Sequence, residues 1–376
     1  MEKIKRLILA VIPNQKCNLK CDYCYISQLA NWEDCGKMKY KPKYIAQCLS
    51  KDRLGGTALI NLTGNGETML QEGIVEIIRY LLEEGHYVEV VTNGTIKKRM
   101  EEIANLPFEL TQRLFLKISF HYKELIRNGV LDTFYETVQM LKKRNIAFTL
   151  ELMAYDDIET CIDEIIESTT LNLGAPCQAT IGRLDKKRSR ELLSSHSITE
   201  YKKIWNKLES PMQQFKLELL GKKRREFCYA GAWSLFVDLY TGNAKPCYGQ
   251  PYNQNIYEDV NTPIRFEAVG HYCTQPYCIN GHSHLAWGLI PQLSTPFYYD
   301  MRNRVCKDGS CWINNKCSDF FHTKLCENNT SYSFIRKSVH TLKYPFWYIF
   351  WMLKYFDINT SKNLKLIKMW KKNKKG

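Results

Sequence analysis

Continuous apolar stretches recur along the first half of the chain, and segments with helical spacing of apolar positions separate them. Continuous rather than alternating runs are typical of parallel strands that are buried on both faces. Strands are predicted at residues 5–12, 57–62, 87–91, 114–120, 146–152 and 178–182. Strands that alternate with helices imply right-handed crossovers and a parallel sheet. Six such units predict an α/β fold, a partial (β/α)6 barrel, with a doubly wound sheet as the alternative.

Cysteine content is the unusual feature of the composition. The 376 residues are 44% hydrophobic and 24% charged, which is ordinary for a globular protein, but 15 of them are cysteines. Such a number indicates either a secreted disulfide framework or a reduced, metal-binding intracellular protein. The apolar run Leu7–Ile12 is too short for an export signal, and no small-residue cleavage site follows it. A cytoplasmic location is therefore expected.

The net charge of +14 is concentrated in the C-terminal tail. Residues 335–376 contain eleven Lys or Arg and one acid, Asp357, so they carry ten of the fourteen net charges. The remainder is only slightly basic and has no zinc-finger spacing, which argues against nucleic acid as a partner. The aromatic stretch Pro345–Phe356 is too short to span a bilayer. With the lysines after it, this stretch suits either a peripheral contact with a membrane or a helix packed on the barrel.

Three cysteines, Cys17, Cys21 and Cys24, directly follow the first predicted strand. Their spacing lets three thiolates from one loop converge on one centre, and thiolate sulfur is the ligand that iron–sulfur clusters and zinc select. A structural zinc site is closed by four protein ligands, whereas a [4Fe-4S] cluster held by three cysteines leaves one iron open to a reactive ligand. Zinc and unligated buried thiols remain alternatives for the triplet taken alone.

The C-x3-C-x2-C loop, with Tyr23 before its last cysteine, resembles the signature of the radical S-adenosylmethionine (SAM) superfamily. The stretch Gly64-Asn-Gly66-Glu67 after the second predicted strand is similar to the Gly-Gly-Glu stretch that holds the amino group of SAM in that superfamily. The resemblance implies SAM as a cofactor, bound to the open iron of a [4Fe-4S] cluster. The implied cluster ligands are Cys17, Cys21 and Cys24.

Two further strand ends resemble SAM-contacting positions of the superfamily. The third predicted strand ends in Thr92-Asn93-Gly94, which without this context is an ordinary Asn-Gly turn. The fourth delivers Ser119 and His121 to the same rim, although a histidine there is as readily a structural hydrogen-bonding residue. The residues for which the resemblance predicts cofactor binding are Tyr23, Gly64, Gly66, Glu67, Asn93, Ser119 and His121.

A second cysteine group begins at Cys228. The predicted strand at 234–240 and the turn at Gly242 form a hairpin whose base brings Cys228 and Cys247 toward each other, and Cys273 and Cys278 complete a set of four metal ligands. The C-x13-G-x4-C spacing resembles the opening of SPASM and twitch domains, which hold auxiliary [4Fe-4S] clusters beside a radical SAM barrel. Four candidate ligands point to a single auxiliary [4Fe-4S] cluster, the twitch pattern.

Three parts of the chain are predicted. Residues 1–225 form a radical SAM core with a bridge, residues 226–330 a SPASM/twitch-like auxiliary cluster domain, and residues 331–376 a basic, aromatic tail. Two basic clusters of the bridge, at 186–190 and 222–225, are predicted to be solvated, with contact to a substrate phosphate as the alternative. Free thiols are predicted for Cys306, Cys311, Cys317 and Cys326, with a third cluster site as the alternative. Small core residues are predicted for Cys35, Cys48, Cys161 and Cys177.

The resemblance implies reductive cleavage of SAM to a 5′-deoxyadenosyl radical that abstracts hydrogen from a substrate. An auxiliary cluster could accept the electron that remains, which favours net oxidation, such as dehydrogenation, by an oxidoreductase-type enzyme. A flavodoxin or ferredoxin is the expected low-potential electron donor. No residue is assigned a catalytic role.

The expected substrate is a small molecule, a sugar or a lipid-linked glycan. Many peptide-modifying relatives have an additional N-terminal leader-binding domain, whereas the first strand here begins within a few residues of Met1. A peptide- or protein-modifying maturase is the first alternative. A non-catalytic metal or electron-transfer protein, which would not bind SAM, is the second.

Overall fold

The computed structural model describes residues 2–32, 36–186 and 189–356. The strands in this part of the chain belong to one nine-stranded sheet, in the order β6-β5-β4-β3-β2-β1-β7-β8-β9. They are β1 (Arg6–Ile12), β2 (Ala58–Gly64), β3 (Tyr87–Thr92), β4 (Leu114–Phe120), β5 (Ala147–Ala154), β6 (Gln178–Ile181), β7 (Ser234–Asp238), β8 (Asn243–Lys245) and β9 (Gln254–Asn255).

Helices connect the strands, those between β1 and β6 covering the outer face of the sheet. They are α1 (Tyr25–Leu29), α2 (Pro42–Cys48), α3 (Lys51–Leu54), α4 (Ile74–Glu83), α5 (Lys97–Ala104), α6 (Phe108–Thr111), α7 (Tyr122–Arg127), α8 (Leu131–Lys143), α9 (Ile162–Leu173), α10 (Ile198–Trp205), α11 (Pro211–Leu219), α12 (Gly281–His284), α13 (Tyr298–Arg302), α14 (Asn315–Phe321) and α15 (Phe334–Phe356). Short 3-10 turns lie at Thr68–Leu70, Asp156–Cys161, Asn206–Leu208 and Leu325–Glu327.

The first six strands are parallel and stand side by side in sequence order. A doubly wound sheet reverses its strand order at a switch point. This part of the sheet has no such reversal, and its strands begin and end within two residues of the predicted positions. The prediction of an α/β fold built as a partial barrel is therefore confirmed.

A seventh parallel strand extends the sheet on the far side of β1. β7 pairs with β1 from Leu7↔Ser234 to Val11↔Asp238, and it turns back through Gly242 into the antiparallel strand β8. The predicted hairpin therefore exists, but it continues the sheet of the barrel. The pairing of β7 with β1 was not predicted from the sequence, because the hydrophobic pattern of a strand does not identify the strand it pairs with.

Side chains of the parallel strands alternate between two cores. Ile8 and Ala10 of β1 lie in the core between the sheet and its outer helices, whereas Leu7 and Leu9 face the concave side. Aromatic residues from the C-terminal third of the chain fill that concave side near the amino ends of the strands. Among them Phe320 stacks on Tyr87, with ring centroids 3.7 Å apart. The C-terminal segment thus closes one end of the partial barrel.

The concave face becomes polar toward the carboxyl ends of the strands. The strand register places Asn61 opposite Glu89, Lys117 opposite Thr149 and Ser119 opposite Glu151. Residues at alternate positions of a strand share a face, so Lys117 and Glu151 point into the same interior as the apolar residues below them. A polar cavity therefore lies above an apolar floor.

The terminal helix α15 packs on the C-terminal third through His340, Tyr344 and Trp351, which are buried. Pro345 lies inside the helix. No helix among the described residues is both long enough and apolar enough to cross a membrane. The lysine-rich end of the predicted tail, from residue 357 onward, lies outside the described residues.

Candidate active site

The predicted cluster loop leaves the carboxyl end of β1, where the active sites of α/β barrels are found. Cys21 is buried, and Cys17 and Cys24 are partly buried. The backbone N–H of Cys24 donates to Cys21 O at 3.1 Å, so the last two cysteines share one tight turn that opens helix α1. Burial raises the pKa of all three thiols, to about 12 for Cys21. Ligation by a metal would therefore release their protons.

The Gly64–Glu67 turn packs directly against the start of this loop. Gly66 N–H donates to Asn14 O and Glu67 N–H to Lys16 O, both at 2.8 Å. A Cβ atom at Gly66 would lie 2.0 Å from Lys16 O, a distance that no side chain can occupy. Glycine is therefore required for the two segments to approach, and the turn fixes the entry to the cysteine loop.

Glu67 joins the ends of β2 and β3. Its buried carboxylate accepts hydrogen bonds from Met69 N–H at 2.9 Å, Thr92 Oγ1 at 2.5 Å and Asn93 N–H at 2.7 Å. Burial raises the pKa of Glu67, and these three hydrogen bonds lower it in part. The carboxylate is thus engaged within the fold, and its predicted contact with the amino group of SAM stays a prediction.

Asn93 extends this connection to the cysteines. Its side-chain nitrogen donates to Asn18 Oδ1 at 2.8 Å and lies 3.9 Å from Cys17 Sγ. Asn18 in turn donates to Thr95 Oγ1 at 2.7 Å. The predicted Asn-Gly turn after β3 therefore supports the cluster loop from the side.

His121 lies against the loop on the other side. Its Nδ1 is 3.3 Å from Cys21 Sγ and also contacts the hydroxyl of Tyr23. Burial lowers the pKa of His121 to about 4, so the imidazole is neutral near pH 7. Ser119, one layer deeper on β4, lines the interior cavity. The structure thus brings all seven predicted cofactor-binding residues to the rim around the three cysteines.

The interior cavity has a volume of about 980 Å³ and is bounded by residues from both halves of the chain. This is at the upper end of the range for small-molecule pockets. Tyr23 and His121 form part of its wall on the side of the cysteine loop. Tyr248 and Asn280 also line the cavity.

The second cysteine group lies beside the cavity, because Tyr248 and Ile279, which directly follow Cys247 and Cys278, line it. The backbone of Cys228 exchanges two hydrogen bonds with Gly270, which fixes it near the segment of Cys273 and Cys278. Burial raises the pKa of Cys247 to about 11, and the neighbouring charge of Cys273 adds to the effect. Burial also raises the pKa of Cys278, and the charges of the other three cysteines oppose its ionisation. The four predicted ligands are therefore neighbours in one buried place.

Neither cysteine group is arranged for a single metal ion. Within the described residues, the one group of three or more ligand atoms lying within 4.8 Å of one another is Asp156, Glu159 and His196. Zinc–sulfur bonds of about 2.3 Å would bring tetrahedral thiolates to within about 4 Å of each other. No three thiol sulfurs of either group, whose cysteines all belong to the described residues, lie within 4.8 Å of one another. Thiolate sulfur is also the donor that iron–sulfur clusters take, so an iron–sulfur cluster fits these residues better than a single zinc ion.

The remaining cysteines are spread over the fold. Cys306 Sγ lies 3.3 Å from Lys142 Nζ, Cys317 Sγ contacts Gln112 O at 3.4 Å, and Cys311 is exposed. Every described cysteine is a free thiol. Cys48 and Cys177 are buried as predicted for core residues, Cys161 and Cys326 are partly buried, and Cys35 lies outside the described residues.

Several charged residues inside the cavity were not predicted. Lys117 and Glu151 come from strands, Arg183 follows β6, and Lys216 and His282 come from helices α11 and α12. Lys117 and Glu151 could have been predicted, because each is a charged residue within an otherwise apolar strand. No comparable signal distinguishes Lys216 from the other lysines of its charged segment.

Comparison with known proteins identifies the barrel. Residues 11–168 match the radical SAM superfamily. This part of the chain is a radical SAM domain. A protein of Methanocaldococcus jannaschii, named for a proposed role as a glycyl-radical enzyme activating enzyme, is 25% identical to this chain over 164 residues, which are 40% of this chain and 65% of that protein. The chain thus spans about two-thirds of the length of this relative.

Two solved radical SAM structures share the fold. SuiB of Streptococcus suis bound to S-adenosylmethionine has a TM-score of 0.50 at 15% identity, over 70% of this chain and 66% of SuiB. The structure of anSMEcpe with bound AdoMet and a peptide also has a TM-score of 0.50, at 13% identity, over 91% of this chain and 98% of anSMEcpe. At these identities the likeness concerns the fold. The match of residues 11–168 to the radical SAM superfamily implies a [4Fe-4S] cluster and SAM as cofactors.

Proposed function

We propose that this radical SAM enzyme oxidises a small polar molecule, a sugar or a lipid-linked glycan bound between the two cysteine groups. The observation that carries the proposal is the polar cavity that Tyr23 of the cluster loop and Tyr248, next to Cys247, both line. When bound, the cluster and SAM supply the radical that abstracts hydrogen. A substrate in this cavity would lie within reach of both centres.

The protein's own residues would hold and orient these groups. Cys17, Cys21 and Cys24 would bind the cluster, with Asn93 and His121 fixing the loop around it. The remaining predicted contacts would line the SAM site: Tyr23, Gly64, Gly66, Glu67 and Ser119. The apolar floor beneath the cavity would limit the entry of water to a reactive species.

A second cluster is proposed at Cys228, Cys247, Cys273 and Cys278. Burial and the neighbouring thiols raise the pKa of Cys228, Cys247 and Cys278, so these thiols are costly to charge without a metal, and a cationic cluster would relieve the repulsion. Its place beside the cavity suits an acceptor of the electron left on the substrate. We also propose a flavodoxin or ferredoxin as the donor to the first cluster, and domain boundaries near residues 225 and 330.

Modification of a peptide remains the second candidate. The structure of anSMEcpe that shares this fold holds a peptide together with AdoMet. The charged interior of the cavity, with Lys117 and Glu151, favours a compact polar substrate over an apolar peptide side chain.

The proposal is tested by iron and sulfide analysis of anaerobically prepared protein, together with a dithionite-driven assay for 5′-deoxyadenosine. Wild type is expected to hold about eight irons, and the triple variant Cys17/Cys21/Cys24→Ala about four, with SAM cleavage lost. The quadruple variant of the second group should also hold about four. Cys161→Ala is the matched control and should retain all eight. Zinc in place of iron, or intact SAM after incubation with wild type, would refute the proposal.

A peripheral membrane contact is proposed for helix α15. Large apolar residues of this helix face solvent, with exposed fractions of 75% for Phe346, 58% for Phe350 and 74% for Leu353. Contiguous exposed apolar patches mark protein or membrane contacts, and the lysines that follow in the sequence favour anionic lipid. The contact would bring the enzyme to a lipid-linked substrate.

Flotation with vesicles of phosphatidylcholine and phosphatidylglycerol tests this contact. Wild type should float with the vesicles, whereas the double variant Phe346→Glu/Phe350→Glu should remain below. Phe108→Glu, an exposed phenylalanine elsewhere on the surface, is the control and should float like wild type. Wild type that stays at the bottom of the gradient, apart from the vesicles, would rule the contact out.

A further inference from the structure

Four nitrogen-bearing side chains meet on one wall of the cavity. Lys117 projects from β4, Arg183 follows β6, Lys216 projects from α11 and His282 from α12, and all four line the same space. Burial lowers the pKa of Lys216 and of His282 well below their ordinary values, and the charges of Lys117 and Arg183 add to both shifts. Burial also lowers the pKa of Lys117 to about 7. Elements distant in the sequence thus place four basic side chains, here called the cationic wall, around one space, where their protonated forms are unfavourable without a negative partner.

Protein carboxylates balance this wall only in part: Glu89 favours the charged form of Lys117, but it also favours that of Arg302. Lys117 Nζ lies 3.8 Å from Glu151 Oε2, but Glu151 also pairs with the fully buried Arg302. Lys216 Nζ donates to Thr180 Oγ1 at 2.5 Å, and no carboxylate of the described residues lies within 4.0 Å of it. Buried charge without a counter-ion is unfavourable, because it loses hydration and gains nothing in return. The wall therefore has capacity for a negative group.

His282 provides a second, independent observation. Its side chain is 8% exposed, and its Nδ1 has no hydrogen-bond partner among the described residues. Buried polar atoms in folded proteins are nearly always paired, so an unpaired one beside a cavity marks a place for a ligand. The unpaired nitrogen lies in the same wall as Lys216.

We propose that the cationic wall binds an oxyanion of the substrate, a phosphate or a carboxylate. Lysine and arginine are the side chains that bind such groups, the arginine through a planar fork of N–H donors. This inference rests on the proposed function, in which the substrate occupies the cavity, and it narrows the substrate to an anionic molecule. It also extends the role of the bridge segment, since Arg183 and Lys216 both belong to it.

The depth of the wall separates it from the predicted SAM contacts. Lys117 precedes Ser119 by two positions on β4, so it lies one layer farther from the rim on the same face. Ser119 and His121 are the contacts predicted for SAM. The wall is therefore placed to meet the second molecule in the cavity.

Inorganic phosphate and acetate serve as probes, with chloride at equal ionic strength as the reference. The full chain is prepared anaerobically with its clusters and SAM, and the thermal unfolding midpoint is followed as each anion is titrated. Wild type should show a saturable rise with one of the two probes. Lys216→Met should weaken that response at least fivefold. Lys207→Met, which removes an exposed lysine paired with Asp163, should respond like wild type.

His282→Gln keeps the experiment decisive if Lys216→Met does not fold, because it removes the unpaired nitrogen without altering a charge pair. A response to phosphate supports a phosphorylated substrate, and a response to acetate alone supports a carboxylate. An equal response in the variants, or none in wild type, overturns the proposal, as does an equal loss of affinity for SAM in Lys216→Met. These readouts need no turnover, so they are separate from the failure of SAM cleavage that would refute the proposed function.

Discussion

Glu67, which was predicted to bind a ligand, also stabilises the fold. Its two oxygens accept three hydrogen bonds from donors at the ends of β2 and β3. In Glu67→Gln an amide N–H₂ must face one of these backbone N–H groups, which leaves a buried donor unpaired. We expect a loss of about 1–3 kcal/mol in the free energy of unfolding, measured by urea denaturation. The exposed Glu72→Gln should unfold like wild type, and equal stability of both variants would contradict this account.

The buried His86 should make the stability of the protein depend on pH. This buried imidazole accepts from Ala58 N–H at 3.1 Å and contacts Leu49 O at 2.8 Å, and burial lowers its pKa to about 4. The unfolded chain binds the proton more tightly, with a pKa near 6.5. The stability contributed by neutral His86 is therefore present above about pH 6.5 and is lost as pH falls toward 4.

Between pH 7 and pH 5 this linkage should cost wild type about 2 kcal/mol. His86→Gln can keep both hydrogen bonds but cannot titrate, so its unfolding free energy should fall by that much less over the same interval. Urea denaturation of both proteins at the two pH values measures the difference. Parallel losses in the two proteins would show that His86 is not responsible.

Among single residues, those that belong to a short motif shared by a family could be predicted from the sequence. The three cysteines and the Gly66-Glu67 turn were predicted because together they resemble the motifs of a family. Lys216 and His282 could not be predicted, because nothing near them in the sequence indicates that their helices border the same cavity. Two of the three Glu67 contacts were also not predictable, since Thr92 and Asn93 lie 25 and 26 residues farther along the chain.

The strands and helices are joined through buried charge as well as apolar packing. Glu151 on β5 pairs with Arg302 on α13, and Arg302 is fully buried. In Arg302→Met the carboxylate keeps only the more distant Lys117 as a partner. We expect a loss of about 3–5 kcal/mol in the free energy of unfolding. The exposed pair of Lys207 and Asp163 is the control, and Lys207→Met should change the free energy of unfolding little.

A double variant separates the pair from its surroundings. Glu151→Met/Arg302→Met removes both charges and keeps apolar volume, so it should be more stable than Arg302→Met alone. Urea denaturation of the four proteins completes the cycle. A double variant that is less stable than Arg302→Met would mean that each residue acts through other contacts.

The elements themselves were largely predictable. The six strands were recognised because a parallel strand buried on both faces is apolar at nearly every position, and β1 shows this with six buried residues of seven. The hairpin at Gly242 was recognised by its turn. Its place in the sheet was not, since Leu7↔Ser234 pairing joins positions more than 200 residues apart.

The pairing of β7 with β1 joins the C-terminal third of the chain to the barrel. The C-terminal third supplies β7 to the free edge of β1 and aromatic residues such as Trp287 and Phe320 to the concave core. A chain ending at residue 225 would expose both the backbone groups of that edge and the apolar side of Leu7 and Leu9. Exposed edges and apolar patches of this kind lead to aggregation.

Truncation therefore tests how far the predicted parts are independent. We expect residues 1–225 alone to aggregate or to unfold without a cooperative transition. Residues 1–333 keep β7 and the concave core and lose only α15 and the tail, so they should remain folded and retain both clusters. Size-exclusion chromatography, thermal unfolding and iron analysis compare the two. A cooperative, monomeric 1–225 fragment would show that the barrel is complete without β7, and the C-terminal third would then be a lid on an independent domain.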